Sequence, residues 1–245
     1  MENVYRIHMG KARCAVDLGD GSERGEYVNQ DYILGKLGRP HRSISLMYCY
    51  YPLDEGWPGR ASVVHASPDV SFAWDFPYDD YFTYKGGLGG NTDGEPFQYM
   101  REIRQHGQDV SLTLTIDPHV TDEHLIAIAN DLRPFGRVFL RINHEATGNW
   151  FSFNKRCTYQ EVADFFVRAS RVIKEHAPNV QTIICIGGIE DLSKEKMEKE
   201  AEFAQTIPAA DIWSVDKYMA LHWGWPYDVA EVGGNSFSRS KVADT

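Results

Sequence analysis

An amide, an imidazole, a carboxylic acid and an indole fall together in Asn143-His144-Glu145-Ala146-Thr147-Gly148-Asn149-Trp150. That set suits sugar chemistry. A glutamate beside a histidine can give a proton to a glycosidic oxygen, and a tryptophan can stack on the apolar face of a pyranose. The stretch follows Val138-Phe139-Leu140, a short apolar run that reads as a strand, and precedes a loop and a long helix. In an α/β barrel the ends of the strands form the active-site face, because the βα loops build the site there. The same residues also read as a surface loop with one solvated glutamate and a tryptophan plugging the strand–helix junction. Spacing alone leaves both readings open.

The elements that must position this stretch alternate. Ser45–Tyr51 is a first strand, punctuated by Pro52 and Gly56, and Val70–Trp74 a weaker second one. Residues 75–94, rich in Tyr, Asp and Gly, read as a long loop. Helical spacing over Glu95–His106 stops at Gly107. Val110–Ile116 is a third strand, and Thr121 caps a helix that runs to Leu132 with Glu123 in its first turn. Arg137–Ile142 is the fourth strand. Thr158 and Glu161 have capping-box spacing ahead of an apolar face at Val162, Phe165, Phe166, Ala169 and Val172, and Pro178 ends that helix. Thr182–Ile186 is a fifth strand, Ser193–Gln205 a charged helix and Ile212–Val215 a sixth strand, followed by Asp216-Lys217-Tyr218 and the aromatic loop His222-Trp223-Gly224-Trp225. Alternation of this kind means a parallel sheet with helical crossovers. A nucleotide-binding alternative needs an early Gly-rich phosphate loop. Gly86-Gly87-Leu88-Gly89-Gly90 is Gly-rich, but it follows no clear strand and precedes no Lys-Ser/Thr.

Composition narrows the partners. Of 245 residues, 42% are hydrophobic and 24% charged, ordinary for a globular protein. The net charge of −10 comes with no Lys/Arg-rich run, which argues against a nucleic-acid partner. A neutral polysaccharide needs no charge complementarity. No apolar run approaches about 18 residues, so no membrane span is expected. No charged-then-apolar leader opens at Met1. The chain is expected in the cytoplasm, or outside the cell if a leader was removed. None of Cys14, Cys49, Cys157 and Cys185 forms a Cys-x-x-Cys pair, no His-x-His follows the first strand, and Asp75, Asp79 and Asp80 lack EF-type spacing. No metal and no cofactor are expected. Cys49 and Cys185 lie in apolar runs and read as buried free thiols.

The pattern His-Glu-x-x-Gly-x-Trp-Phe after a strand ending in Arg141 resembles the acid/base segment of glycoside hydrolase family 26, the retaining β-mannanases and related β-glycanases of the clan A (β/α)8 barrels. His144, Glu145, Gly148 and Trp150 match. Ala146 and Thr147 depart from the commoner His-Glu-Met-Asn-Gly-x-Trp, and they bear on substrate identity more than on reaction type. The close match covers residues 141–150, and a looser one in strand order covers the chain after residue 43. The resemblance implies a (β/α)8 TIM-type barrel that takes a β-linked polysaccharide, β-mannan foremost. Glu145 would be the general acid/base on strand four. His119, ending strand three, would contact substrate, and Tyr218, ending strand six, would bond the nucleophile. The nucleophile is implied at the end of strand seven, and Glu231 in Val229-Ala230-Glu231-Val232-Gly233 has the family's local pattern. His144 would hold a partner carboxylate or a sugar hydroxyl. Trp150, Trp223 and Trp225 are candidate sugar platforms, with core or loop packing as their ordinary alternative.

The count falls short of a closed barrel. Six βα units are visible, and thirteen residues separate Tyr218 from Glu231, too few for a helix and a strand. The expectation is an incomplete barrel over residues 43–245 with its C-terminal part missing, and an N-terminal extension over 1–42 packed on it. The competing expectation is a non-catalytic glycan-binding or inactive barrel that lacks the nucleophile.

Overall fold

The computed structural model describes residues 17–19, 34–35, 38–40, 42–58, 82–148, 151–186 and 201–215. Strands β1 (Asp17–Gly19), β2 (Ser43–Tyr50), β3 (Asp109–Ile116), β4 (Val138–Ile142), β5 (Val180–Ile186) and β6 (Ile212–Val215) form one sheet in chain order. Every neighbouring pair is parallel. Parallel neighbours require crossovers, and helices α1 (Phe97–Gln105), α2 (Asp122–Leu132) and α4 (Tyr159–His176) lie in those after β2, β3 and β4. Two short helices, α3 (Ser152–Arg156) and α5 (Thr206–Ala209), precede α4 and β6. Among the described residues the sheet runs from β1 to β6 without closing.

Two strand assignments change. Part of the segment read as an extension is β1, whose Asp17–Gly19 pairs with Ser43–Ser45. Three residues are too few to show an alternating pattern, so the strand was not legible. Next, β2 and β3 pair directly from Ser43↔Asp109 to Tyr50↔Ile116, so no strand stands between them. Val70–Trp74, expected there, lies outside the described residues. With β1 counted, β4 is still the fourth strand. The outer edge of β2 is also covered at its far end. Cys49 N–H donates to the Phe82 carbonyl at 2.8 Å, and Tyr84 N–H donates to the Cys49 carbonyl at 2.9 Å.

The parallel register sorts side chains into two faces. Ile44, Leu46, Val110, Leu112, Leu114, Val138, Leu140 and Ile142 share one face and are all buried. Helices cover it: Ser170 of α4 shares a 2.8 Å hydrogen bond with Thr182, the register partner of Leu140. The opposite face carries Ser43, Ser45, Ser111, Thr113 and Arg141 together with Met47 and Phe139, a mixed set. An apolar sheet face under helices is what a parallel sheet with helical crossovers requires. At the strand starts Asp109 gathers Arg42 at 3.0 Å and Arg104 at 3.4 Å, with Arg137 on its other side, and so ties β2, β3 and β4 at their N-terminal ends.

Helix entry follows sequence in one case and departs in another. Thr121 is the N-cap of α2, but its side chain does not cap. Its hydroxyl meets His124 Nδ1 at 2.9 Å. The capping box of α4 is complete. Glu161 N–H donates to Thr158 Oγ1 at 3.2 Å, while Thr158 N–H and its hydroxyl donate to Glu161 Oε2 at 2.7 and 2.9 Å. Those bonds, the backbone one first, hold the Glu161 carboxyl below its ordinary value. A carboxyl with a lowered folded pKa adds stability above its unfolded value and loses it as pH falls through the folded one. Thr158→Ala, which removes the cap hydroxyl, is expected to lower stability in urea unfolding at neutral pH. The gap to wild type should narrow on acidification through the carboxylate range, and a gap independent of pH would contradict this account of the cap.

Candidate active site at the strand ends

The chain leaves β4 through two residues in the left-handed region, Asn143 at φ 56° and Glu145 at φ 48°. Non-glycine residues are uncommon there, and holding one costs on the order of 1–3 kcal/mol. Both neighbouring strands hold these two. Asn143 N–H donates to the Leu114 carbonyl at 3.1 Å, and Asn143 Oδ1 accepts the Ile116 N–H at 2.6 Å. Ala146 N–H donates to the Cys185 carbonyl at 2.8 Å, and the Ala146 carbonyl accepts from Asn154 Nδ2 at 3.0 Å. Gly148 N–H donates to the Glu145 carbonyl at 2.8 Å and closes the turn. Asn143, tied to β3, and Ala146, tied to β5, are both buried, and the partly exposed His144 and Glu145 are presented between them. The His144 ring lies edge-on to Phe151, with centroids 5.8 Å apart, and its Nδ1 is 3.3 Å from Arg141 Nη1. An arginine only donates, so Nδ1 accepts and the ring proton sits on Nε2.

A second cluster joins the ends of β2 and β3 to the segment after β4. Arg156 donates to both Asp54 oxygens, at 2.8 and 2.7 Å, and to Asp117 Oδ2 at 3.0 Å. Its guanidinium carbon lies 4.6 Å from the centre of the Tyr51 ring. Burial works against the Arg156 charge, but the two carboxylates outweigh it, Asp54 foremost, and hold its pKa above the ordinary value. The other Asp117 oxygen accepts from His119 twice, from the backbone N–H at 3.0 Å and from Nδ1 at 2.9 Å. His119 Nε2 then lies 3.9 Å from Cys157 Sγ. Burial, with Glu161 and Asp117 adding to it, pushes the Cys157 thiol up to about 11. It is a neutral thiol at pH 7, not a ready nucleophile.

Of the site residues read from sequence, Glu145, His144 and His119 stand at the C-terminal ends of β4 and β3. Trp150, Tyr218, Trp223, Trp225 and Glu231 lie outside the described residues. Cys49 and Cys185 are buried free thiols, as their apolar runs implied. Asp54, Arg156 and the anchoring part of Asn143 went unrecognised in the sequence. Nothing local marks Arg156, whose partners lie 102 and 39 residues away. Among the described residues, no group of three or more His, Cys, Asp or Glu is placed to hold a metal ion. No described helix is long and apolar enough to cross a membrane. The Gly-rich loop is a packing element rather than a phosphate cradle. Gly87 N–H donates to Asp131 at 2.7 Å and Leu88 N–H to the Tyr50 hydroxyl at 3.1 Å, so protein acceptors already take those donors. At Gly87, φ is 81°, and a Cβ would come within 2.3 Å of the Tyr50 oxygen. A groove of about 820 Å³ beside Arg104, Asp131 and Gly136 lies near the start of β4, away from Glu145.

No family model matches the sequence, and no curated protein matches it. Three solved structures are similar in part. A double mutant of an endo-β-1,4-mannanase from Cellulomonas fimi is 11% identical, with a TM-score of 0.43 over 77% of this chain and 43% of that one. A mannanase from Bacillus subtilis is 14% identical, with a TM-score of 0.44 over 77% and 58%. The GH53 catalytic domain of Ignisphaera aggregans is 13% identical, with a TM-score of 0.42 over 83% and 54%. The chain spans about half the length of these proteins.

Arg156→Ala leaves Asp117, whose side chain is 4% exposed, with His119 as its remaining hydrogen-bond donor pair. The expected loss is roughly 1–3 kcal/mol in denaturant unfolding. Arg171→Ala, which breaks the exposed pair with Glu175, should cost under about 1 kcal/mol. Equal losses in the two variants would contradict a structural role for the Arg156 cluster.

Proposed function

We infer that this chain is a barrel-type retaining glycoside hydrolase acting on a β-linked polysaccharide, with β-mannan first and xylan or mixed-linkage glucan behind it. The observation that carries the reading is the Glu145 backbone. A glutamate is held in the left-handed region at the C-terminal end of the fourth parallel strand, between two buried residues bonded to the strands on either side. Strain of this kind persists where the surroundings over-determine it, and it clusters at active sites.

In this reading Glu145 protonates the glycosidic oxygen as the bond to the anomeric carbon breaks, then takes a proton from the water that releases the sugar. A second carboxylate attacks the anomeric carbon in the first of those steps, forming a glycosyl-enzyme ester that the activated water hydrolyses in the second, and Glu231 is the residue assigned to it. His144, with its proton on Nε2, donates to a sugar hydroxyl or to that carboxylate. His119 contacts substrate from the end of β3, and Tyr218 orients the nucleophile. Trp150 stacks on a sugar ring, with Trp223 and Trp225 as further platforms. Residues 43–245 together with β1 make up the proposed barrel unit. The chemistry needs no cofactor.

A second reading draws on Asp54 and Asp117. Both of these strand-end carboxylates are committed to Arg156, so neither is available as the nucleophile. That favours a barrel that binds glycan without cleaving it should Glu231 not serve.

Hydrolysis of β-mannan, xylan and mixed-linkage glucan by the 245-residue chain separates the two readings. Glu145→Ala is expected to lose about 10²–10⁴-fold on substrates with poor leaving groups and far less on activated aryl glycosides. Equal losses on both would remove Glu145 from the acid's role. Trp150→Ala should weaken oligosaccharide binding with little change in melting temperature. A large fall in melting temperature at unchanged sugar affinity would make it a core residue.

A further inference from the structure

The groove beside the start of β4 gathers polar groups that the fold leaves unused. Its volume of about 820 Å³ falls within the range of small-molecule sites, about 300–1,000 Å³. Arg104 and Gln105 line it from the last turn of α1, Asn130 and Asp131 from the last turn of α2, and Phe135 and Gly136 from the turn into β4. Both bonds to the Asp131 carboxylate, from the Tyr84 hydroxyl at 3.0 Å and the Gly87 N–H at 2.7 Å, end on Oδ2. Among the described residues, no group donates to its Oδ1. Among them, too, Arg104 donates through Nη1 alone, to the Gln108 carbonyl at 2.7 Å and to Asp109 Oδ1 at 3.4 Å. Its Nη2 lies against Gly136, where a Cβ would come within 2.9 Å of that nitrogen. Gln105 and Asn130 are exposed, and their amides make no hydrogen bond among the described residues.

These groups select the ligand. Arg104 offers donors, Asp131 an acceptor, and the two amides offer both. A ligand that satisfies them all must donate and accept, as hydroxyl groups do. An anion is disfavoured. The groove lies at the C-terminal ends of two helices, where the dipole opposes negative charge. The Asp131 carboxylate adds to that, and the Arg104 charge is already met by Asp109. Burial pushes the Asp131 carboxyl up, ahead of its two bonds, which pull it down. A shifted acid in a cleft marks a site for binding or chemistry. Pro134 and Phe135 give the groove an apolar side. A sugar ring matches this lining, with hydroxyls on its rim and C–H groups on its faces. Gly136 precedes β4 and Glu145 follows it, so the groove and Glu145 lie at opposite ends of that strand.

We propose that this groove is a second sugar-binding site, which holds a neutral β-linked glycan at the strand-start end of the sheet, apart from the bond presented to Glu145. The sugar class follows from the groove, and its identification with the chain's own polysaccharide rests on the glycan reading above. Holding a long polymer at two places raises its effective concentration at the strand ends.

The test uses the isotope-labelled full chain with Glu145→Gln, so that ligands are not consumed, and titrates mannotriose and xylotriose while amide signals are followed by NMR. The Gly136 N–H reports on the groove and the Gly148 N–H on the strand ends. At least one sugar is expected to shift the Gly136 N–H and the side-chain amides of Gln105 and Asn130 in a saturable way. Gln105→Ala combined with Asn130→Ala, at two exposed positions, should weaken the binding read at Gly136 about tenfold, the scale of two hydrogen bonds. Movement at Gly148 without movement at Gly136 overturns the second site and leaves the glycan reading standing. A Gly136 midpoint unchanged in the double variant also overturns it. Groove signals that move with inorganic sulfate and with neither sugar overturn it in favour of an anion site. If neither sugar moves any signal, the glycan reading falls together with the second site.

Discussion

The candidate site depends on how the end of β4 is fastened. Within four residues the chain bonds to β3 through Asn143 and to β5 through Ala146. Between those anchors the backbone turns through two left-handed residues. A loop that merely left the strand would relax to ordinary angles, since nothing would oppose the strain. Here the two flanking strands oppose it, so the direction of Glu145 follows from the sheet register and not from loop packing. The parallel pairing from β2 to β5 and the position of Glu145 are therefore one constraint seen at two scales.

The two ends of the sheet use charge differently. At the strand starts Asp109 meets three arginines whose side chains are mostly 36–53% exposed. The Asp109 side chain they share is itself 10% exposed, so they align three strand starts around a largely buried charge. At the other end Asp117 is 4% exposed, with Arg156 bonded to one of its oxygens and His119 to the other. That carboxylate cannot lose its partners cheaply, because the charge would stay buried. The cluster locks the chain after β2, β3 and β4 into one wall of the strand-end surface. It also commits Asp54 and Asp117 to Arg156.

Much of the fold was legible because its signals are local. The strands at 43–50, 109–116, 138–142, 180–186 and 212–215 are apolar or alternating runs with clear stops, and the Thr158–Glu161 box needs only four residues to be recognised. β1 was not legible, because a three-residue strand in a polar segment has no period. Within the site, Glu145 and His144 announce themselves by type and neighbourhood. The left-handed turn does not, since an Asn and a Glu take those angles only under pressure from strands whose pairing the sequence does not state. The Arg156 cluster is invisible for the same cause. Its members come from three separate strand ends and meet only after the sheet has formed.

The central claim is that Glu145 is the acid/base of a retaining mechanism. Azide rescue of Glu145→Ala tests it most directly, using an activated aryl β-mannobioside as substrate. Removing the carboxyl opens space for a small anion and removes the base that activates water. If the claim holds, azide raises turnover of the variant while leaving wild type unaffected, and the product is the β-configured glycosyl azide. Turnover unmoved by azide, or an α-configured product, would contradict it.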